Sequence, residues 1–328
     1  MPSPVLEVRH LRVEFATRRG TLLALDDVSF EIAAGEILGV VGESGAGKSL
    51  TGAAIIGLLE PPGHVAGGEI LLAGARIDNL GGEAMRKIRG KRIGAIFQDP
   101  LTSLNPLYTV GQQLVETLQV HLGLGATEAR AQAVALLQQT GIPAPEQRID
   151  QYPHQFSGGM RQRVVIALAL AGQPELIVAD EPTTALDVSI QAQIIALLKQ
   201  LTRGGSGAAV MLVTHDMGVI AEACDRVVVM YAGRVVEVGP VADVIHRPAH
   251  PYTAGLMGAI PAMDGERERL MQIDGAMPRL GAIPAGCAFN PRCPQAMPRC
   301  RSERPELMAA GATRAACWLH ETLAQAQP

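Results

Sequence analysis

Leu11-x-Val13-x-Phe15 and Val28-x-Phe30-x-Ile32 place apolar side chains at every second position, the period of a half-buried strand. Between them Ala16–Ala24 loses the alternation and reads like an insertion. Glu36–Val41 is a short apolar run that enters a glycine-rich turn. Lys48–Leu59 then takes helical spacing until Pro61-Pro62 stops it. Ile70–Leu72 and Ala95–Phe97 are further strand candidates. From about Asp99 to Ala171 the pattern turns helical. Thr127 is placed to cap a helix with Glu128 in its first turn, and Gly141 with Pro143 to end it. The apolar helical run Val164–Ala171 is closed by Gly172 and Pro174, and a strand, Leu176–Ala179, follows. Ile190, Ile194, Leu197 and Leu201 share one helix face. Val210–Val213 and Val227–Tyr231 read as strands, the second turning at Ala232-Gly233 into Val235–Val238, with a helical stretch after Gly239-Pro240. Beyond about His250 proline rises and periodicity fades. The expected organisation is therefore a domain over 1–250, with a helical subdomain at about 99–171, and a second domain over 251–328. There is no internal repeat and no low-complexity segment.

The first candidate chemistry lies where the run Glu36–Val41 ends. Gly42-Glu43-Ser44-Gly45-Ala46-Gly47-Lys48-Ser49 matches the phosphate-loop spacing G-x-x-x-x-G-K-[ST]. Glycines let consecutive backbone N–H groups converge on phosphate oxygens, and the helix that begins near Lys48 points its positive end at the same place. Lys48 can reach β- and γ-phosphates, and Ser49 can ligate Mg²⁺. The alternative is a structural glycine-rich turn, which leaves the preceding strand, the spacing and the following helix unexplained. The companion is Leu176–Glu181, an apolar strand ending in two carboxylates, where an α/β sheet exposes its ligand edge. Asp180 is expected to hold Mg²⁺ through water and Glu181 to orient or deprotonate the attacking water. Gln98 and His215 each follow a strand candidate. Gln98 is expected near the water and the metal, His215 near the γ-phosphate.

Composition supports this picture. Of 328 residues 48% are hydrophobic and only 3% aromatic. Apolar content made of Ala, Val, Leu and Ile suits a buried parallel sheet flanked by helices. Lys and Arg number 28 against 32 Asp and Glu, a net charge of −4, and no basic cluster is read along the chain, which argues against nucleic acid as a partner. Met1–Phe15 alternates charged and apolar residues, unlike a secretory signal, and no apolar run nears the roughly 20 residues that span a bilayer. A membrane role is expected to come through a partner.

Together these motifs resemble the ATP-binding cassette family over about Leu6 to Tyr252. The resemblance implies an α/β P-loop NTPase cassette: a RecA-like core, an antiparallel β subdomain and a helical signature subdomain, here followed by a short Cys-rich C-terminal extension. In family terms Gly42–Ser49 is the Walker A loop, with Gly42, Ser44, Gly45, Gly47, Lys48, Ser49 and Thr51 around ATP. Gln98 is the Q-loop glutamine, and Asp180 and Glu181 end Walker B. Ala185-Leu186-Asp187 matches the D-loop and His215 the switch histidine. Ser49, Gln98 and Asp180 are the implied Mg²⁺ neighbours, and Phe15 falls near the adenine-stacking aromatic. Ser157-Gly158-Gly159-Met160-Arg161 belongs to the signature, whose Ser157 and Gly159 would approach the γ-phosphate held by a second cassette. One copy is then catalytically incomplete.

The subfamily narrows further. Phe97–Pro106, Tyr152-Pro153-His154, Asp180–Ser189 and His250-Pro251-Tyr252-Thr253 resemble the dipeptide/oligopeptide importer branch. That branch implies an ATPase on the cytoplasmic face of the membrane, with two transmembrane permease subunits, a second ATPase and an extracytoplasmic solute-binding protein. The residues after Gln98 are where such cassettes touch the permease. The commonest signature carries glutamine where this chain has Met160, so the second cassette is expected to be a different, glutamine-signature protein. Two other functions stay open: an importer of the same build for nickel, a sugar or an opine, and a soluble cassette ATPase acting on nucleic acid or ribosomes.

Cysteines are unevenly placed. Cys224 stands alone and reads as a small buried hydrophobe. Cys287-x5-Cys293-x6-Cys300-x16-Cys317 lies in a segment rich in Pro and Arg that resembles the C-terminal extension of the same branch. Tight Cys pairs typical of structural zinc are absent, whereas looser spacing with Pro294 after Cys293 suits a [4Fe–4S] cluster. The order of expectation is iron–sulfur, then zinc with His320 as an alternative ligand, then reduced thiols, with a disulfide last.

Overall fold

A computed structural model describes residues 4–18, 20–184, 187–203, 207–259 and 272–321. In chain order the described elements are β1 (Leu6–Thr17), β2 (Gly20–Ile32), β3 (Ile37–Val41), α1 (Lys48–Ile55), β4 (Gly63–Leu72), β5 (Ala75–Arg76), α2 (Gly82–Ile88) and β6 (Ile93–Ile96). The helical stretch holds α3 (Pro100–Ser103), α4 (Val110–Leu122), α5 (Ala126–Gln139), α6 (Pro145–Arg148) and α7 (Gly158–Ala171). After it come β7 (Leu176–Asp180), α8 (Val188–Arg203), β8 (Ala209–Val213), α9 (Met217–Ala223), β9 (Arg226–Tyr231), β10 (Arg234–Pro240), α10 (Val241–His246) and α11 (Pro251–Gly258). Short 3-10 turns and the hairpin β11 (Met308–Ala310) and β12 (Thr313–Ala315) complete the chain.

The chain divides into two compact units. One takes Met1–Leu6, Ile32–Ile37 and Leu72–Leu212, the other Glu7–Glu31, Leu38–Leu71 and Val213–Pro328. In the first, β6 and β7 pair in parallel with Ile93 opposite Leu176 and Ile96 opposite Ala179. β7 and β8 are buried almost throughout, as expected of apolar runs without alternation. α4, α5 and α7 pack on one another, and Leu114, Leu118, Ala129, Ala133, Leu137 and Val164 along them are buried. Of the predicted face of α8, Ile194, Leu197 and Leu201 are buried and Ile190 is half-buried.

In the second unit β1 lies between β2 and β4. β3 and β9 pair in parallel, Leu38 opposite Arg226 through Val41 opposite Val229. β10 runs antiparallel to β9, and β12 adds to β10 with Glu237 opposite Ala315. The C-terminal extension thus supplies sheet strands as well as turns. Its core is aromatic: Tyr231, Tyr252 and Phe289 meet with ring centroids 4.7 to 5.4 Å apart. Buried Glu237 joins the extension to β10. Its carboxylate accepts from the N–H groups of Ala249 and His250, both at 2.9 Å, and from the Thr313 hydroxyl at 3.4 Å.

Four local expectations change. Ala16–Ala24 is no insertion, because β1 and β2 continue through it to a turn closed by Thr17 Oγ1 donating to the Gly20 carbonyl at 2.6 Å. The alternation fades there because Ala16 and Thr17 have no buried face. Helix α1 stops at Ile55, short of Leu59, because Gly57 takes φ +66° and the Leu58 N–H folds back to the Ala53 carbonyl at 2.8 Å. The strand expected at Ile70–Leu72 begins earlier, at Gly63. Thr127 does not cap α5. The helix starts one residue before it, with Gly125 at the N-cap, after Gly123 has closed α4 in a left-handed turn.

Candidate nucleotide site

The phosphate loop follows β3 in the second unit. Gly42, Gly45 and Gly47 have φ of +153°, +82° and +105°, a backbone other residues rarely adopt. Space repeats the demand at Gly42, where a Cβ would stand 2.3 Å from the Met230 carbonyl oxygen. The loop is tied by Ala46 N–H to the Glu43 carbonyl at 3.1 Å and by Gly233 N–H to the Ala46 carbonyl at 2.9 Å. Lys48 is buried at 7% exposure, and its ammonium donates to the carbonyls of Gly42 at 2.8 Å and Glu43 at 3.1 Å. Ser44, Gly45 and Ser49 are exposed. Thr51 is fully buried, its hydroxyl donating to the Gly47 carbonyl at 2.9 Å. His215 is exposed on the turn that leads into α9, whose N-cap is Asp216. Phe15, half-buried, packs where a Cβ on Gly63 would fall 2.8 Å from its ring.

The carboxylates lie in the first unit. Asp180 ends β7 half-buried, and Glu181 follows with φ +47°. The Gln98 amide donates to Glu181 Oε2 at 2.9 Å, and the Thr184 hydroxyl donates to the same oxygen at 2.9 Å. Gln98, expected beside the metal, here holds the carboxylate expected to act as base. Thr184 is a contact that sequence reasoning missed. Asp187, just before α8, accepts from Ile190 N–H at 2.9 Å and Ser189 Oγ at 2.7 Å, and those bonds hold its carboxyl below the usual range. Ala185 and Leu186, the rest of the expected D-loop, lie outside the described residues.

Ser157 is the N-cap of α7, its hydroxyl accepting from Met160 N–H at 3.4 Å. Ser157 and Gly158 are exposed, so the positive end of a 14-residue helix faces outward. Gly159 is a packing requirement, since a Cβ there would meet Ile190 Cγ2 at 2.9 Å. Ahead of these residues, the segment after Gln98 forms a stapled loop. The Gln113 amide donates to the carbonyls of Asn105 at 3.0 Å and Tyr108 at 3.1 Å, and its oxygen accepts from Asn105 N–H at 3.0 Å. The staple presents Leu107 at 80% and Tyr108 at 51% exposure.

Comparison with known proteins decides the family. The profile described as "ABC transporter" matches residues 25–184, and the one described as "Oligopeptide/dipeptide transporter, C-terminal region" matches 236–300. The chain is 48% identical over 318 residues to the oligopeptide transport ATP-binding protein OppD of Salmonella typhimurium, covering 96% of this chain and 94% of that one. It is 47% identical over 323 residues to the dipeptide transport ATP-binding protein DppD of Bacillus subtilis, covering 98% and 96%. The chain belongs to the ABC transporter family, in its oligopeptide/dipeptide branch. Among solved structures, the dimeric post-hydrolysis state of the ATP-binding cassette MJ0796 bound to ADP and Pi superposes with a TM-score of 0.64 at 30% identity, over 72% of this chain and 98% of that one. The present cassette is thus an ABC-type ATPase. No helix among its described residues is long and apolar enough to cross a membrane.

The cassette's C-terminal cysteines come together although their spacing is loose. Cys287, Cys293, Cys300 and Cys317 line one small apolar cavity beside His250 and Phe289. Close approach of their backbones is permitted by Gly286, where a Cβ would meet the Cys300 carbonyl oxygen at 2.2 Å. All are free thiols. Burial pushes the Cys287 thiol up to about 11 and raises Cys293 and Cys317, and the neighbouring thiols add to the effect. Among the described residues no group of three or more His, Cys, Asp or Glu side chains is placed to hold a metal ion, so neither the expected iron–sulfur cluster nor zinc has a preset site. His320 Nε2 bonds the Ala249 carbonyl at 2.8 Å. Cys224 is half-buried beside Gly39, and burial raises its thiol.

The expected lack of a basic cluster is corrected. Arg86, Lys87, Arg89 and Lys91 line one cleft with His121 and Val120, and no carboxylate lines it. Gly90 sets the turn, with φ +78° and the His121 ring 2.4 Å from where its Cβ would stand. Arg92, in the same sequence run, pairs instead with Glu175 through two bonds of 2.7 and 2.8 Å.

Proposed function

We propose that this cassette is the ATP-hydrolysing, energy-coupling subunit of an importer for dipeptides or oligopeptides. The carrying observation is the loop Gly42–Ser49, whose left-handed glycines and buried Lys48 make a phosphate cradle on a chain that resembles OppD and DppD along nearly its whole length. The loop N–H groups and Lys48 bind the β- and γ-phosphates. Ser49 and Asp180, with Gln98 nearby, are the groups that would hold Mg²⁺, which supplies charge neutralisation to the phosphates. Glu181 orients and deprotonates the attacking water, and His215 contacts the γ-phosphate. Ser157 and Gly159 complete the site of a second cassette, for which the exposed positive end of α7 supplies an electrostatic reason. Met160 cannot make an amide's hydrogen bonds, which supports a glutamine-signature protein as that second subunit. Phe15 packs near the adenine.

The organisation proposed for the chain is a cassette of 1–250, with signature helices at about 99–171, and an extension from 251. Two permease subunits are its membrane partners, one of them met at the loop that Gln113 staples, where Leu107 and Tyr108 stand exposed, and the ATPase works peripherally on the cytoplasmic face. An extracytoplasmic binding protein delivers the solute. The test is ATP turnover in vesicles holding both permeases and both cassettes, with and without peptide-loaded binding protein. Stimulation by peptide supports the reading. Stimulation by nickel or a sugar alone replaces the solute, and turnover indifferent to the permeases removes the coupling role.

For the cysteine cavity we infer a [4Fe–4S] cluster ahead of zinc from the spacing of the four cysteines and their meeting around one space, which would have to widen to admit it. Ligation releases the thiol protons and staples turns that carry little apolar periodicity. Iron, sulfide and zinc analysis of anaerobically purified protein decides it: absence of all three removes the site. One observation favours a second reading, a soluble ATPase acting on nucleic acid, namely the cationic cleft of Arg86, Lys87, Arg89 and Lys91. Duplex RNA or DNA that stimulates turnover in a salt-dependent way would establish that reading instead.

A further inference from the structure

The C-terminal extension reaches the phosphate loop at Glu43. Arg292 donates to both carboxylate oxygens of Glu43, Nη1 to Oε2 at 2.9 Å and Nη2 to Oε1 at 3.0 Å. Its remaining N–H groups go to the carbonyls of Asp274 at 2.8 Å and Ile273 at 3.3 Å and to the Tyr231 hydroxyl at 3.3 Å. The guanidinium is only 8% exposed and lies against the Tyr231 and Phe289 rings, 5.8 and 5.9 Å from their centroids. A buried, fully engaged arginine between aromatic walls is a rigid strut. Tyr252 holds the same residue from its backbone side. The Glu43 N–H donates to the Tyr252 hydroxyl at 2.8 Å, and the Tyr252 ring is fully buried against Tyr231.

Glu43 is also where Lys48 rests. Its carbonyl and that of Gly42 accept the Lys48 ammonium, and its carbonyl takes the Ala46 N–H. Three fixed points therefore converge on one residue of the loop: a guanidinium on its side chain, a phenol on its N–H, and the Lys48 ammonium on its carbonyl. Charge matters as much as geometry. An unpaired carboxylate at this position would repel a triphosphate in the same loop.

We propose that Arg292 and Tyr252 are positioning residues for nucleotide binding, through which the C-terminal extension orients the Gly42–Ala46 backbone and Lys48 and neutralises Glu43. The proposal rests on the reading of Gly42–Ser49 as an ATP site. It assigns the extension a role in nucleotide affinity that is independent of whether its cysteines hold a metal.

The pairing predicts an unusual order of effects in the full chain, measured as Mg-ATP dissociation constants by calorimetry. Arg292→Gln leaves Glu43 unpaired beside the phosphates and weakens ATP about tenfold, equivalent to about 1.4 kcal/mol. Glu43→Gln removes the repelling charge and weakens ATP about threefold or less, and the double variant binds better than Arg292→Gln alone. A merely structural role would make the double variant as weak as the single or weaker. Tyr252→Phe, which removes only the hydroxyl, raises the Mg-ATP dissociation constant about threefold. Should Arg292→Gln not fold, Arg292→Lys serves: it keeps the charge but loses the bidentate contact and weakens ATP about threefold, and wild-type affinity in both Arg292→Lys and Tyr252→Phe overturns the proposal. Wild-type affinity in both Arg292→Gln and Tyr252→Phe, or a double variant no better than Arg292→Gln, overturns the proposal. A wild-type chain that binds no Mg-ATP overturns the ATP-site reading itself, which separates the two failures.

Discussion

Glu43 and Glu181 are both half-buried acids at turns that follow parallel strands, and the chain holds them by opposite means. Glu43 is fixed by a buried guanidinium and a buried phenol. On Glu181 the exposed Gln98 amide and the Thr184 hydroxyl, both neutral, donate to one oxygen. A charge-assisted bidentate pair is roughly twice as strong per bond as a neutral contact, and its burial makes it hard to exchange with water. The group at the proposed phosphate loop is wired into an aromatic core. The group proposed to move a proton keeps bonds of about 1 kcal/mol each, which ligand or solvent can replace.

The largest effect comes from chemistry in the loosely held half. Glu181→Gln preserves shape and can still accept from Gln98 and Thr184 through its amide oxygen, so thermal stability changes little. Without a base, ATP turnover falls about 100-fold or more while Mg-ATP binding persists and the cassette dimer is held closed. Steady-state turnover together with nucleotide retention on gel filtration checks this. A Glu181→Gln variant that hydrolyses ATP at the wild-type rate ends the assignment of Glu181 as base.

The tightly held half is broken through Glu237. Glu237→Ala strips the partners from the N–H groups of Ala249 and His250 and from the Thr313 hydroxyl, in a site with no solvent access. Orphaned buried donors of this kind cost about 3 kcal/mol, read as a shift of the chemical denaturation midpoint. The comparison is sharpened by measuring both variants for both properties. A Glu181→Gln protein that loses more stability than Glu237→Ala would reverse it.

How much could be read beforehand follows from the range of each interaction. The strand, turn and helix around Gly42–Ser49 were legible because their causes are local: glycines where φ is positive, and an apolar run that has nowhere to go but a sheet. The same holds for the apolar face of α8. Arg292 was illegible as a partner of Glu43, since 249 residues separate them and an arginine in a proline-rich segment carries no sign of what it will meet. The four C-terminal cysteines were expected together and do line one cavity, but their loose spacing left the geometry unread, because 3-10 turns rather than a regular repeat bring them together. Net charge misled at Arg86–Lys91, where a local cationic cleft is invisible in a total of −4. Thr127 misled because two nearby glycines, Gly123 and Gly125, decided the helix start.

The smallest effect asks whether burial around the extension is as complete as its hydrogen bonds imply. His250 is 1% exposed, accepts the Tyr252 N–H on Nδ1 at 3.0 Å, and faces Phe289, His320 and the Glu237 carboxylate that takes its own N–H. Burial first, and the nearby His320 second, lower its pKa to about 3, against an ordinary value of 6.5. Because the unfolded chain takes up a proton that the folded chain refuses, the native state is favoured above pH 6.5 and loses that advantage as pH falls toward 3. At pH 5 the loss is about 2 kcal/mol, from 1.36 kcal/mol per unit. His250→Asn keeps an acceptor for the Tyr252 N–H but cannot titrate. The stability difference between wild type and His250→Asn, measured by urea denaturation, should therefore narrow by that amount between pH 7 and pH 5. A difference that stays constant over this range would mean that His250 is reached by water, and that the aromatic core behind the phosphate loop is less closed than its packing indicates.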